Sequence, residues 1–328
     1  MIEQRIATVI LISTSLIFMM FYVLMRNIRQ NVLFCPTKTI KWIPSPDISY
    51  KNVLIESGDN KINGWLFENH PGRPIILYSH GNYGNISYRK MIYELAEILE
   101  MNLFMYDYSG YGRSTGTASL DQFHKDADSA YRFLRQNVGY KPDDIYILGK
   151  SLGGYASLSI ASNHPVRSVI VICTFNTFED IIEHDGKRTL HIMKKLARFM
   201  TDNYQQNNDF VKKIKKPCVF LHSKKDKKIP FRNSLKLYED CKALKKKFIE
   251  IDGDHTSISI DYEKFISALT FAEYTIKDLM LRNDFHKKIN NWLKKLPGIV
   301  KTMATEMSNE DNKIGNRITN FIVSNLMG

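Results

Sequence analysis

Three side chains that could together activate a hydroxyl lie far apart in this 328-residue chain: Ser151, Asp226 and His255. A serine hydroxyl is a weak nucleophile near neutral pH. It needs a base to take its proton, and the base needs a partner to fix its tautomer. Ser151 stands in Gly149-Lys150-Ser151-Leu152-Gly153-Gly154. The residues before it, 144–148 (DIYIL), are apolar and β-prone, and those after it, 155–161 (YASLSIA), read as a helix. A strand, then G-x-S-x-G-G, then a helix is the context of a nucleophile elbow. Gly149 and Gly153 carry no Cβ, so strand and helix can close around a strained turn with the hydroxyl at its tip. The helix then begins under the serine, and its free N–H groups face any oxyanion formed there.

Nine histidines are available as the base. His255 follows the last expected strand (247–251) by four residues, in Asp252-Gly253-Asp254-His255-Thr256-Ser257. It therefore hangs at the carboxyl end of a strand, the edge where open α/β sheets keep their sites. His80 also follows a strand but belongs to His80-Gly81-Asn82; His124, His164 and His286 fall on helices. For the acid, Asp226 lies just past a strand end in Ser223-Lys224-Lys225-Asp226-Lys227-Lys228-Ile229-Pro230. Its four lysine neighbours are expected to keep it ionised. Asp107 and, behind it, Asp252 are the alternatives; Asp254 adjoins His255, and adjacent side chains splay apart. The order Ser151, Asp226, His255 is the chain order of strand–elbow–helix hydrolases. A tetrahedral oxyanion needs two aimed N–H donors. The backbone of Leu152 supplies one, and that of Asn82, in the loop His80-Gly81-Asn82-Tyr83-Gly84-Asn85, the other.

Such residues meet only if the chain folds as alternating strands and helices. A hairpin is expected over 52–57 and 62–67, and buried strands over 74–79, 102–107, 144–148, 168–173, 218–222 and 247–251. Helical spacing fills the gaps at 88–100, 120–136, 232–241 and 262–282. The alternation predicts an α/β fold, a doubly wound, mostly parallel sheet over 51–282. The strand rhythm stops over about 175–209, where Ile192, Leu196, Phe199 and Met200 have helical spacing, and a small helical cap is expected. Residues 6–25 carry no charge over twenty positions, the length of a membrane-spanning helix. No small-x-small cleavage site follows, so an uncleaved N-terminal anchor is expected, with 26–50 as a Pro-containing linker. Arg26, Arg29, Lys38 and Lys41 follow the span, which places the body on the cytoplasmic side. The sequon Asn85-Ile86-Ser87 would argue the opposite side only if glycosylated.

The net charge of +12 is concentrated: residues 187–250 hold nineteen Lys/Arg against six Asp/Glu. This points to an anionic lipid surface, since no nucleic-acid-binding signature accompanies it. Four scattered cysteines support neither a disulfide framework nor a zinc site. The tail, 283–328, has two amphipathic stripes, Phe285/Ile289/Trp292/Leu293/Leu296 and Ile314/Ile318/Phe321/Ile322. Either packs on the body or lies on lipid.

Together HGNYGN, Tyr106-Asp107-Tyr108-Ser109-Gly110-Tyr111-Gly112-Arg113-Ser114, GKSLGG, Asp226-x-x-Ile229-Pro230 and Gly253-Asp254-His255 resemble the membrane-anchored α/β-hydrolase-domain serine hydrolases, over about residues 50–282. The resemblance implies the α/β-hydrolase fold and Ser151, Asp226 and His255 as a triad. It also implies hydrolysis of an ester or thioester, in some relatives of lipids or S-acylated proteins, without metal or cofactor. Two features depart from the family: Asp254 and Thr256-Ser257 flank the histidine, where a small residue and Asn-Asp are usual, and the tail is longer. An amidase or peptidase on the same side chains, or a membrane-tethered binding module with no activity, are the competing expectations.

Overall fold

The computed structural model describes residues 11–16, 19–20, 33–185, 204–272 and 284–294. Its centre is a nine-stranded sheet in the order β11-β10-β9-β8-β7-β4-β6-β3-β2. The hairpin β2 (Lys51–Ser57) and β3 (Asn60–Phe67) pairs antiparallel, with Ser57 opposite Asn60, so its turn is Gly58-Asp59. Then β4 (Ile75–Ser79), β6 (Asn102–Tyr106), β7 (Ile145–Lys150), β8 (Ser168–Ile172), β9 (Cys218–Ser223) and β10 (Lys246–Gly253) run parallel, and β11 (Ile258–Ser259) returns antiparallel to β10. All five residues of β4 and of β6 are buried. This is the pattern of strands covered on both faces, and it is why they read as continuous apolar runs.

Side chains alternate between two cores. Ile75, Leu77 and Ile147 face the layer of α2 (Leu120–Arg132), α3 (Leu152–Asn163) and α6 (Arg232–Asp240). Ile76, Tyr78, Tyr146 and Leu148 face α1 (Lys90–Leu99), α7 (Tyr262–Phe271) and the helix over 285–294, here α8. In α8 Phe285, Ile289, Trp292 and Leu293 are buried, and Trp292 Nε1 donates to the Met91 carbonyl at 2.8 Å. The first tail stripe thus packs on the body as far as Leu293. Leu296 and the second stripe lie outside the described residues.

From β4 the chain crosses to β6 on one side and then back past β4 to β7. The strand order reverses between β4 and β7, and a crevice opens at the carboxyl ends of strands where connections diverge in this way. The loop carrying Asn82 leaves β4 there, and Ser151 leaves β7.

The expected linker is more than a spacer over 33–50. Leu33 and Phe34 are buried, and β1 (Cys35–Pro36) pairs parallel with β5 (Tyr83–Gly84), inside the Asn82 loop. Backbone pairing of two residues leaves no periodicity in a sequence, which is why only the prolines were conspicuous. Asn85 is fully buried, and its Nδ2 donates to Thr37 O at 3.0 Å and Thr39 O at 2.8 Å. The folded sequon therefore has no room for a glycan.

Of the expected cap, α4 (Phe178–Asp185) and α5 (Asn207–Val211) are helical; Ile192, Leu196, Phe199 and Met200 lie outside the described residues. So does most of the expected membrane span. Among the described residues no helix is long and apolar enough to cross a membrane. Residues 11–16 and 19–20 are helical, with Leu11, Ile12, Leu16, Met19 and Met20 each more than half exposed.

Candidate active site

Ser151 occupies φ +55°, ψ −122°, a conformation that costs an L-residue roughly 1–3 kcal/mol. Its surroundings enforce it. The Ser151 amide donates to Ile172 O at 2.9 Å, and Thr174 Oγ1 donates to Ser151 O at 2.9 Å. The three glycines explain themselves by what a Cβ would strike. At Gly149 it would meet the Gly153 carbonyl and Ser157 Oγ, at Gly153 the Ser79 carbonyl, and at Gly154 the Thr174 side chain. Any side chain there pushes the helix off the sheet and lowers the hydroxyl into it.

His255 Nε2 lies 3.0 Å from Ser151 Oγ, and its Nδ1 lies 2.7 Å from Asp226 Oδ2. An ionised carboxylate only accepts, so the proton sits on Nδ1 and Nε2 is left to accept from the serine. Asp226 Oδ1 accepts from the amides of Lys228 at 2.9 Å and Ile229 at 2.8 Å. Burial alone would raise the Asp226 pKa; the hydrogen bonds of His222, His255 and the Ile229 amide outweigh it and hold the carboxyl well below the usual range. The neighbouring lysine side chains take little part, contrary to the expectation from sequence. Lys224 pairs with Glu250 and Lys225 with Asp252, each at 2.7 Å, on the solvent side.

The alternatives for the acid are used elsewhere. Asp107 accepts from the Ile86 amide at 2.7 Å and lies 3.4 Å from His80 Nε2, behind the loop after β4. His80 Nδ1 is 2.7 Å from Gly81 O, Tyr108 donates to His80 O at 2.8 Å, and Tyr111 donates to Asn82 O at 2.8 Å. The Tyr-Asp-Tyr…Tyr stretch thus braces the Asn82 loop from behind, and the Cys35 amide donates to Asn82 O from the front at 3.1 Å. Asp252 is tied to Lys225, and Asp254 Oδ1 accepts from the His255 amide at 2.6 Å rather than from the imidazole.

Gly81 sits against Ser151: a Cβ on it would be 3.7 Å from Ser151 Cβ. The loop therefore brings Asn82 into the cavity that Ser151 lines, and Leu152 opens α3 directly after the hydroxyl. An acyl group attacked there needs two N–H donors for its oxyanion, the part for which the Leu152 and Asn82 amides are the candidates.

His222 was not singled out in the sequence. It is fully buried; Nε2 lies 2.9 Å from Ile229 O and 3.3 Å from Asp226 Oδ2, while Nδ1 lies 2.6 Å from Ser234 Oγ. It fixes the carboxylate and the loop that carries it. The signal was its i, i+4 spacing to Asp226 across a strand end. Among the described residues, Cys173, His222 and Asp226 come close enough to share a cation. Burial pushes the Cys173 thiol up to about 12, and a cation there would compete with the bonds that His222 and His255 make to Asp226.

A serine on a strand–helix elbow of a mostly parallel sheet, with a histidine and an acid brought to it by later strand ends, defines the α/β-hydrolase class. A family of that fold, "alpha/beta hydrolase fold", matches residues 74–197. Among relatives, the uncharacterized protein YfhR of Salmonella typhi is 26% identical over 249 residues, 71% of this chain and 82% of that protein. Alpha/beta hydrolase domain-containing protein 17B of Xenopus laevis is 30% identical over 167 residues, 51% of this chain and 54% of that one. Protein bem46 of Schizosaccharomyces pombe is 29% identical over 217 residues, 63% and 71% of the two chains. Of solved structures, the esterase Pf2001 of Pyrococcus furiosus superposes with a TM-score of 0.59 at 17% identity, covering 80% of this chain and 97% of that one. The shared fold extends to Est1E of Butyrivibrio proteoclasticus, with a TM-score of 0.52 at 19% identity, covering 70% and 100%. The chain is therefore similar to α/β-hydrolase-domain proteins over its central part, and residues 74–197 carry the match to the family itself.

Proposed function

We propose that the protein is a serine hydrolase that cleaves acyl esters or thioesters, of a lipid or an S-acylated protein, through an acyl-enzyme. The observation that carries this reading is the hydrogen-bonded run Ser151–His255–Asp226, at 3.0 and 2.7 Å, on a serine held at positive φ. His255 takes the hydroxyl proton as Ser151 Oγ bonds to the acyl carbon. The Leu152 and Asn82 amides hold the oxyanion. His255 then gives the proton to the leaving alcohol or thiol, and water repeats the sequence to free the acid. None of these steps calls on a metal or cofactor. A matched pair of substrates tests the reading: an acyl p-nitrophenyl ester should turn over at least about a hundredfold faster than the corresponding anilide. Equal rates would make the protein an amidase.

The acid side of the pH profile follows from His255. Burial lowers its pKa; the hydrogen bond and charge of Asp226 raise it, and Lys150 and Lys228 lower it again, leaving it below the ordinary 6.5. Only the neutral imidazole can accept a proton. Activity should therefore be full at neutral pH and fall as pH drops through a midpoint below 6.5, read from kcat/KM against pH. A midpoint above 6.5 would contradict this environment for His255.

The reading includes a single N-terminal anchor with the body on the cytoplasmic side. Its support is the twenty-residue uncharged run, the exposure of Leu11, Ile12, Leu16, Met19 and Met20, and the positive charge that follows. The basic stretch 187–250 would then meet anionic lipid, with Lys227 and Lys228 exposed near the site. Removing residues 1–25 should move the protein from the carbonate-resistant membrane fraction to the supernatant. Retention in the pellet would overturn the anchor.

A further inference from the structure

A cavity of about 220 Å³ leaves the site and runs along the α1/α7/α8 face of the sheet. Ser151, His255, Gly81 and Asn82 line one end. Ile76, Leu99, Met101 and Tyr146 line the other, and these lie at the opposite edge of the sheet, where β4, β6 and β7 begin. Between them Tyr78 and Leu148 form one wall, with Ala268 and Ala272 on the α7 side and Trp292 on α8. Its charged lining residues, Arg89 and Lys150, both belong to the site end: Lys150 precedes the nucleophile and Arg89 precedes α1. Everything deeper is apolar, tyrosine hydroxyls apart. No residue of α4 or α5 lines it.

An apolar space of this size inside a core forfeits the packing contacts that would otherwise fill it, and it is no place for water, which needs polar partners. We propose that it binds the acyl chain of the substrate: a straight, unbranched acyl group of about ten carbons, lying along the sheet with the tail helix α8 as part of its wall. The proposal rests on the acyl-hydrolase reading for what happens at the carbonyl, and on the cavity alone for what binds beside it. The length comes from β7. Tyr146, Leu148 and Lys150 lie on one face of the strand, and Tyr146 is four residues from Lys150, roughly 13 Å of strand. A zigzag of carbon–carbon bonds of about 1.5 Å covers that distance in about ten atoms. The tail, longer than the fold requires, thereby gains a role: Trp292, anchored by its bond to Met91 O, helps close the channel on the side away from the sheet.

The α7 helix follows His255 and β11, so its later residues lie deeper. Ala268 and Ala272 are one helical turn apart, about 6 Å, or about five carbons. They are therefore two marks on the same ruler. Hydrolysis of p-nitrophenyl butyrate, hexanoate and decanoate is measured for the full chain and for Ala268→Phe and Ala272→Phe. Each methylene moved from water into an apolar site is worth up to about fourfold. The full chain should prefer decanoate to butyrate at least tenfold in kcat/KM. Ala268→Phe should cut the decanoate-to-butyrate ratio at least tenfold; Ala272→Phe should cut it too while keeping a preference for hexanoate over butyrate. In parallel, decanoate should displace an environment-sensitive apolar dye from Ser151→Ala protein, and Ala268→Phe added to it should weaken that displacement at least tenfold. Identical chain-length profiles in all three proteins, or a full chain that prefers butyrate, would overturn the channel. Dye displacement that depends on Ala268 in a protein with no Ser151-dependent turnover would keep the channel and overturn the hydrolase reading. Circular dichroism melts establish that each variant is folded, and the graded pair keeps the test decisive if one of them is not.

Discussion

Ser151→Ala is expected to fold as the parent does and to lose about 10⁶-fold in kcat, the scale of a nucleophile's removal from a working triad. The residue contributes one hydroxyl. Its amide bond to Ile172 O and its carbonyl bond from Thr174 are backbone features that alanine keeps. The strained φ of +55° is imposed by those bonds and by close contacts at Gly149 and Gly153, so it persists as well. A residual rate above that in water is expected, because the two amides at Leu152 and Asn82 still polarise a bound carbonyl. Steady-state rates on an ester, with a thermal melt to show an unchanged fold, check this. A loss below tenfold would mean that another group attacks.

Asp226→Asn is expected to cost about 10⁴-fold in kcat with little change in KM, on the precedent of an acid-to-amide change in this kind of triad. The cause lies in which atoms face which. The Lys228 and Ile229 amides both point at Oδ1 and require an acceptor there. An asparagine would therefore turn its carbonyl oxygen to them and its NH₂ to His255 Nδ1. The imidazole must then accept at Nδ1 and carry its proton on Nε2, the atom that should receive the serine proton. The result is a histidine in place but in the wrong tautomer. His222 Nε2 keeps its bond to Ile229 O, which holds the loop that carries one of those two amides. A comparison of kcat and KM on one ester checks it; a variant within tenfold of the parent would show that Asp226 does not set the tautomer of His255.

Much of the fold is legible in the sequence because the relevant features are local. The strands Ile75–Ser79 and Asn102–Tyr106 are buried on both faces, so they are uninterrupted apolar runs. The elbow has its signature because three Cβ atoms have nowhere to go. Ser151, Asp226 and His255 rank above their alternatives by their order in the chain and by the elbow motif, because His80, Asp107 and Asp252 stand at strand ends too. What stayed hidden is made between distant segments. The pairing of Cys35–Pro36 with Tyr83–Gly84 is backbone only. Two of the lysines around Asp226, Lys224 and Lys225, are near it in sequence but turn outward to Glu250 and Asp252. His222 looked like an ordinary strand residue until the loop after it folded back. The channel draws its lining from strands, α1, α7 and α8, so no window of sequence contains it. The six-residue π turn Phe133–Val138, which ends the helix expected to run to 136, is likewise a matter of packing rather than pattern.

The central claim is that one hydroxyl, Ser151 Oγ, is made nucleophilic by His255 and Asp226. A fluorophosphonate reacts with such a hydroxyl and with few others, and intact-mass spectrometry of the treated full-length protein reads the outcome directly. One adduct per chain is predicted, mapping to the peptide that carries Ser151, absent from Ser151→Ala and formed much more slowly in Asp226→Asn. An unmodified parent protein, or an adduct that survives Ser151→Ala, would contradict the account.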